Sequence, residues 1–116
     1  MVGGIASVAR RMLIDRKTNI YFMIETHLRI LDSDLINILK KAGLKAVKVG
    51  VENASEELLK HESRSTITKD NQLKKIREIE KNKIQISAMY ILGYPSDNNL
   101  SIQATIDYAK YLNTTY

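Results

Sequence analysis

The sequence predicts an α/β fold with parallel strands, and three observations carry that prediction. Strand-like segments recur along the chain, and each is followed by a whole helical pattern rather than by a tight turn, so the crossovers imply parallel pairing. The middle segment alternates Ala46, Lys48 and Gly50 against Val47, Val49 and Val51, the two-residue period of a strand. Polar loops, Glu52-Asn53-Ala54-Ser55 and Gly93-Tyr94-Pro95-Ser96-Asp97-Asn98, fall where two of these strands end. In parallel folds that edge is where ligands bind, because loops there vary while the sheet stays rigid.

Taken in order, residues 4–15 read as a short helix with Ile5, Val8 and Met12 on one side. Lys17-Thr18-Asn19 is a turn, and Ile20–Glu25 is a strand of β-formers ending in the polar loop Glu25-Thr26-His27-Leu28-Arg29. Asp32 or Ser33 caps the next helix, because either oxygen can accept from the free amides of its first turn. Leu35, Ile36, Leu39 and Ala42 form its apolar stripe, and Gly43 suits the left-handed position after its end. The central strand, residues 45–51, leads into a helix over residues 55–61. A polar connector and a longer helix over 69–81 follow, with Leu73, Ile76 and Ile79 as its buried side. Ile84–Leu92 is the third strand, and the helix over 99–112 carries Ile102, Ile106, Ala109 and Leu112 at helical spacing, with Tyr108 and Tyr111 covering that stripe.

Composition bounds the function. At 116 residues with 44% hydrophobic content, the chain is one domain or part of one, with enough apolar material for a core. No apolar run approaches the ~20 residues that a membrane span needs. The N-terminal arginines follow the apolar residues rather than precede them, unlike a signal peptide, so the expected location is cytoplasmic. A net charge of +5 invites a nucleic-acid reading. The cations, however, are spread through the helices (Arg10, Arg11, Lys40, Lys41, Lys74, Lys75, Arg77, Lys81, Lys83) and mixed with Glu78 and Glu80, the pattern of solvated faces. His27 and His61 have no partner at metal-ligand spacing and read as surface residues. There is no cysteine, so this chain's own thiolates hold no disulfide, zinc or iron–sulfur cluster.

Two loops and their flanks carry a resemblance. VGVENASEELLKHESR resembles Gly-(Ile/Val)-Glu-Ser-Gly-Ser followed by a helix and a basic residue, with Arg64 as far from Glu52 as the pattern has it. ISAMYILGYPSDN is similar to a strand ending in Phe-Ile-x-Gly-x-Pro-Gly-Glu-Thr, and SIQATIDYAKYL fits the Thr-Ile-x-Phe/Tyr-Ala segment after it. Upstream, IETHLRILDSDLINILKKAGLKAVKVGVE has the Ala-Gly that precedes the glutamate strand. These belong to the pattern of the radical S-adenosylmethionine (radical SAM) family, in a methylthiotransferase-like subgroup whose members occur with and without a cobalamin domain. The resemblance runs from residue 20 to residue 113.

The resemblance implies a partial TIM-like (βα) barrel segment of about three parallel strands with covering helices, the later half of a six-unit barrel. It implies S-adenosylmethionine as cofactor and a four-iron four-sulfur cluster in the complete protein, generating a 5′-deoxyadenosyl radical for hydrogen abstraction. Glu52 takes the place of the residue that accepts from the ribose hydroxyls, with Asn53 beside it. Arg64 takes that of the bidentate donor to the methionine carboxylate. Glu25 and Thr26 face the same mouth, and the Gly93 loop shapes the adenine side. The chain departs from the pattern in lacking the Cys-x3-Cys-x2-Cys loop and the first strands. Asn53-Ala54 replaces Ser-Gly, and Ser96-Asp97-Asn98 replaces Gly-Glu-Thr. The expectation is therefore a cofactor-binding half, inactive alone. Its partner is the missing N-terminal part of the barrel or a second copy joined through open strand edges. A non-catalytic scaffold or oligomerising module built on the same segment is the alternative reading. A three-cysteine motif encoded upstream separates the two.

Overall fold

The computed structural model describes Gly4, Ser7, Arg11, residues 20–55, Glu57 and residues 67–116. The helices expected over 4–15 and 55–61, the connector with Arg64, and His61 fall outside the described residues, apart from those single positions. Within them the order is β1 (Phe22–Thr26), a short 3-10 turn (Leu28–Ile30), α1 (Ser33–Ala42), β2 (Leu44–Glu52), α2 (Lys69–Lys81), β3 (Gln85–Tyr90) and α3 (Asn99–Leu112). The three strands form one parallel sheet in the order β1-β2-β3. This is the parallel α/β arrangement that the sequence predicts, and it fits the partial (βα) barrel that the resemblance implies.

Local chemistry sets the element ends. Asp32, rather than Ser33, caps α1: its Oδ1 accepts from the Leu35 amide at 2.8 Å. Gly43 closes the helix at φ 115°, where a side chain would overlap the Ile20 carbonyl oxygen. Thr68 caps α2, and Asn98 with Ser101 forms a capping box on α3.

Alternation along β2 separates two faces. Val47, Val49 and Val51 are buried with Leu35, Ile36 and Leu39 of α1, Ile76 and Ile79 of α2, Ile86 of β3, and Tyr108 and Leu112 of α3. Burying one such aliphatic side chain contributes about 1.5–3 kcal/mol, so this layer holds the fold. The other face carries Met23 and Glu25 of β1, Ala46, Lys48 and Gly50 of β2, and Ser87 and Met89 of β3, paired in register across the sheet. Met23 is 56% and Met89 49% exposed, so this face is open.

Two expectations are corrected. The buried side of α3 is Thr105, Tyr108 and Leu112, while Ile106 and Tyr111 are exposed. Hydrophobic spacing missed this side because two of its residues are polar: Thr105 accepts from the Ala54 amide at 3.0 Å, and Tyr108 donates to Gln72 at 2.6 Å. Gln72, beside the expected stripe of α2, is buried for the same reason. Two cations expected on solvated faces make tertiary bonds. Lys75 donates to the Leu28 and Arg29 carbonyls, tying α2 to the loop after β1. Arg77 donates to the Leu112 carbonyl at 2.9 Å and pairs with Glu80. At the outer edge of β3, the Tyr116 amide donates to the Ile86 carbonyl and the Tyr116 carbonyl accepts from the Ala88 amide, the pattern of a parallel ladder.

Candidate functional site

The carboxyl edge of the sheet gathers the loops after all three strands. β2 ends there in an irregularity: its pairing with β3 slips between Gly50 and Glu52, so that Glu52 sits opposite Tyr90. Glu52 adopts φ 73°, the left-handed region, which a non-glycine residue enters at a cost of about 1–3 kcal/mol. Its backbone is held there by the Ile91 amide, which donates to the Glu52 carbonyl. The side chain turns back over Gly50: a Cβ placed on Gly50 would lie 3.0 Å from Glu52 Oε1. The Tyr94 hydroxyl donates to Glu52 Oε2 at 3.0 Å. The carboxylate is thus placed over the open face, with one oxygen fixed by a phenol.

The loop after β3 is built to stay in place. Gly93 takes φ 91°, its amide donates to Asp97 Oδ2 at 2.9 Å, and the Asp97 amide donates to the Tyr94 carbonyl at 2.8 Å. Ser101 donates its hydroxyl to Asp97 Oδ1. That bond is the main cause holding the Asp97 carboxyl below its ordinary range; desolvation opposes it, and further hydrogen bonds from Gly93, Tyr94 and Asn53 assist. Asn53 is buried and staples the two loops: its Nδ2 lies within 3.4 Å of the Ile91 carbonyl and 3.5 Å of Asp97 Oδ2, while its Oδ1 accepts from the Ser55 amide at 2.9 Å. The Tyr90 hydroxyl is buried with no hydrogen-bond partner among the described residues, and burial pushes its phenol up.

The residues singled out from the sequence divide as follows. Glu52 and Gly93 lie together at this edge, joined through Tyr94, the neighbour of Gly93. Glu25 shares the open face with Gly50, pairing across β1 and β2 with Lys48. Thr26 pairs with Val49, and strand alternation puts it on the helix-covered side. Asn53 is at the edge with its side chain engaged inside the protein. Arg64 lies outside the described residues. Tyr94 and Asp97 were not singled out as site residues. The Gly-Tyr-Pro-Ser-Asp loop marks a turn, but no local pattern says that its phenol meets a glutamate on another strand.

A cavity of about 20 Å³ lies beside Glu52, lined by His27, Leu28, Arg29, Gly50, Val51, Ile67 and Gln72 as well. It has room for a water. A broad depression of about 500 Å³ sits instead by the amino end of β3, between Lys83 and Thr115, away from these loops. The donor set suits S-adenosylmethionine in part: a fixed carboxylate accepts from a vicinal diol, and the glycine beneath it admits close approach. It does not suit an iron–sulfur cluster, for which a chain without cysteine offers no thiolate. Among the described residues no group of acidic residues and histidines could hold a metal ion, and no helix is long and apolar enough to cross a membrane.

An open parallel sheet, covered by helices on one face and gathering its loops at the carboxyl edge, defines a segment of a (βα) barrel. The model of the radical SAM superfamily matches residues 5–109, and the chain belongs to that superfamily. No curated protein sequence matches it. Solved structures share its fold. The radical S-adenosylmethionine methyltransferase TsrM from Kitasatospora setae, with cobalamin and a 4Fe-4S cluster bound, superposes with a TM-score of 0.83 at 17% identity, covering 95% of this chain and 23% of that one. Coproporphyrinogen III oxidase (HemN) from Escherichia coli gives 0.80 at 18% identity over 95% and 26%. The cobalamin-dependent radical enzyme OxsB gives 0.72 at 17% identity over 92% and 16%. The chain therefore spans about a quarter or less of the structures it resembles.

Proposed function

We propose that this chain is the S-adenosylmethionine-binding part of a radical SAM enzyme, inactive without the segment that carries the cluster. Family membership supports the cofactor class. The observation that carries the site is the Glu52 carboxylate, held in a left-handed backbone conformation over Gly50 at the carboxyl edge. There it accepts from the ribose hydroxyls, and charge-assisted bonds of this kind are about twice as strong as neutral ones. Glu25 lies on the same open face, Gly93 shapes the loop beside the nucleoside, and Asn53 holds the two loops in register. Arg64 is assigned to the methionine carboxylate. When bound, S-adenosylmethionine supplies the group that abstracts hydrogen from substrate.

The test is calorimetric titration of S-adenosylmethionine into the purified chain, its Glu52→Ala variant and its Arg64→Ala variant. Loss of one charged hydrogen-bond acceptor weakens binding about tenfold or more. Affinity unchanged by Glu52→Ala overturns the site assignment.

A further inference from the structure

The geometry points to Tyr94 and Gly50 as positioning residues for the Glu52 carboxylate, a role that rests on the cofactor reading given above. Glutamate is a flexible side chain, and one ending an open strand samples several rotamers in water. Fixing it costs up to ~2 kcal/mol of side-chain entropy, which a ligand must supply unless the protein already has. Here two features supply it. Gly50, two residues earlier on the same face, leaves the space into which the carboxylate folds; a methyl group there would meet Oε1 at 3.0 Å, tighter than ordinary contact. Tyr94, from the loop after the next strand, donates its hydroxyl to Oε2 at 3.0 Å. The phenol itself is steadied because its loop is closed by the Gly93 amide and Asn53 on Asp97. The hydroxyl engages one carboxylate oxygen and leaves lone pairs on the other for an incoming diol.

Both features act through Glu52, and that is what the experiment reads. S-adenosylmethionine is titrated into the full chain carrying Tyr94→Phe or Gly50→Ala, each alone and combined with Glu52→Ala. Removing the one hydrogen bond weakens binding about five- to tenfold in the native background. It changes binding less than about twofold where Glu52 is already absent. Gly50→Ala follows the same pattern although alanine in a strand interior is no worse than glycine for stability, so a loss of affinity without a loss of stability separates positioning from folding. A ligand-free readout accompanies the titration: nuclear Overhauser contacts between the Glu52 γ-methylene and the Gly50 α-protons, present in the native chain and lost in Tyr94→Phe. Equal affinity losses in both backgrounds, or absence of those contacts in the native chain, overturn the inference. Contacts present with affinity indifferent to Glu52→Ala overturn the cofactor reading instead, as does a native chain that binds no S-adenosylmethionine.

Discussion

The two ends of β2 solve the same backbone problem in opposite ways. Before the strand, the chain turns through φ 115° at Gly43; at its end it turns through φ 73° at Glu52. Glycine enters the left-handed region without penalty, and at Gly43 nothing else would fit beneath the Ile20 carbonyl. Glutamate enters it at a cost, and the surroundings must hold it there. At the amino end the glycine is thus required by local sterics. The carboxyl end holds a non-glycine residue in that region, with the Ile91 amide on the Glu52 carbonyl and the carboxylate over the open face.

Substitution at the two ends tests that contrast most strongly. Gly43→Ala is expected to destabilise the chain by about 2–3 kcal/mol, read as a lower urea midpoint, because it combines a disfavoured φ with a backbone overlap. Glu52→Gly relieves strain and is expected to leave stability unchanged or raise it by up to ~1 kcal/mol, while abolishing the carboxylate. Equal destabilisation at both ends would break the comparison.

A smaller effect tests how the carboxyl edge is anchored to α3. Thr105→Val removes the acceptor for the buried Ala54 amide. An unsatisfied buried donor costs about 1–3 kcal/mol, measured as a shift of the denaturation midpoint at unchanged slope. A neutral result would mean that the loop after β2 finds another partner, and so is not pinned by α3.

The smallest effect concerns Asp97 and pH. Its carboxyl titrates below the ordinary range in the folded chain, chiefly through the Ser101 hydroxyl. The charged form is thus favoured by folding, so its contribution is present above the unfolded carboxylate value of about 4 and is lost as pH falls below it. Stability curves between about pH 5 and pH 2 should slope less for Asp97→Asn than for the native chain. Parallel curves would show that the loop after β3 holds without its charge.

Legibility in the sequence followed the range of the physics. The limits of α2 and α3, the Gly43 turn and the alternation of β2 were readable because each depends on residues within a turn or two of one another. The cap at Asp32 was narrowed to two neighbours for the same reason. The buried side of α3 was misread: Thr105 and Tyr108 count as polar until their partners Ala54 and Gln72 are known, and those lie 51 and 36 residues away. Glu52 was legible as a polar residue at a strand end, with its family resemblance adding a role. Its left-handed backbone was not, because it arises from a register slip against β3.

By itself, then, the sequence determined a parallel α/β segment, the order of its strands and helices among the described residues, and the edge on which its polar loops fall. These follow from periodicity, capping and crossover length, which are properties of contiguous residues. Tertiary structure alone decided which face of the sheet is open and that Tyr94 reaches Glu52 from 42 residues away. Those depend on how strands align and loops close, and no local pattern encodes where two distant loops will meet.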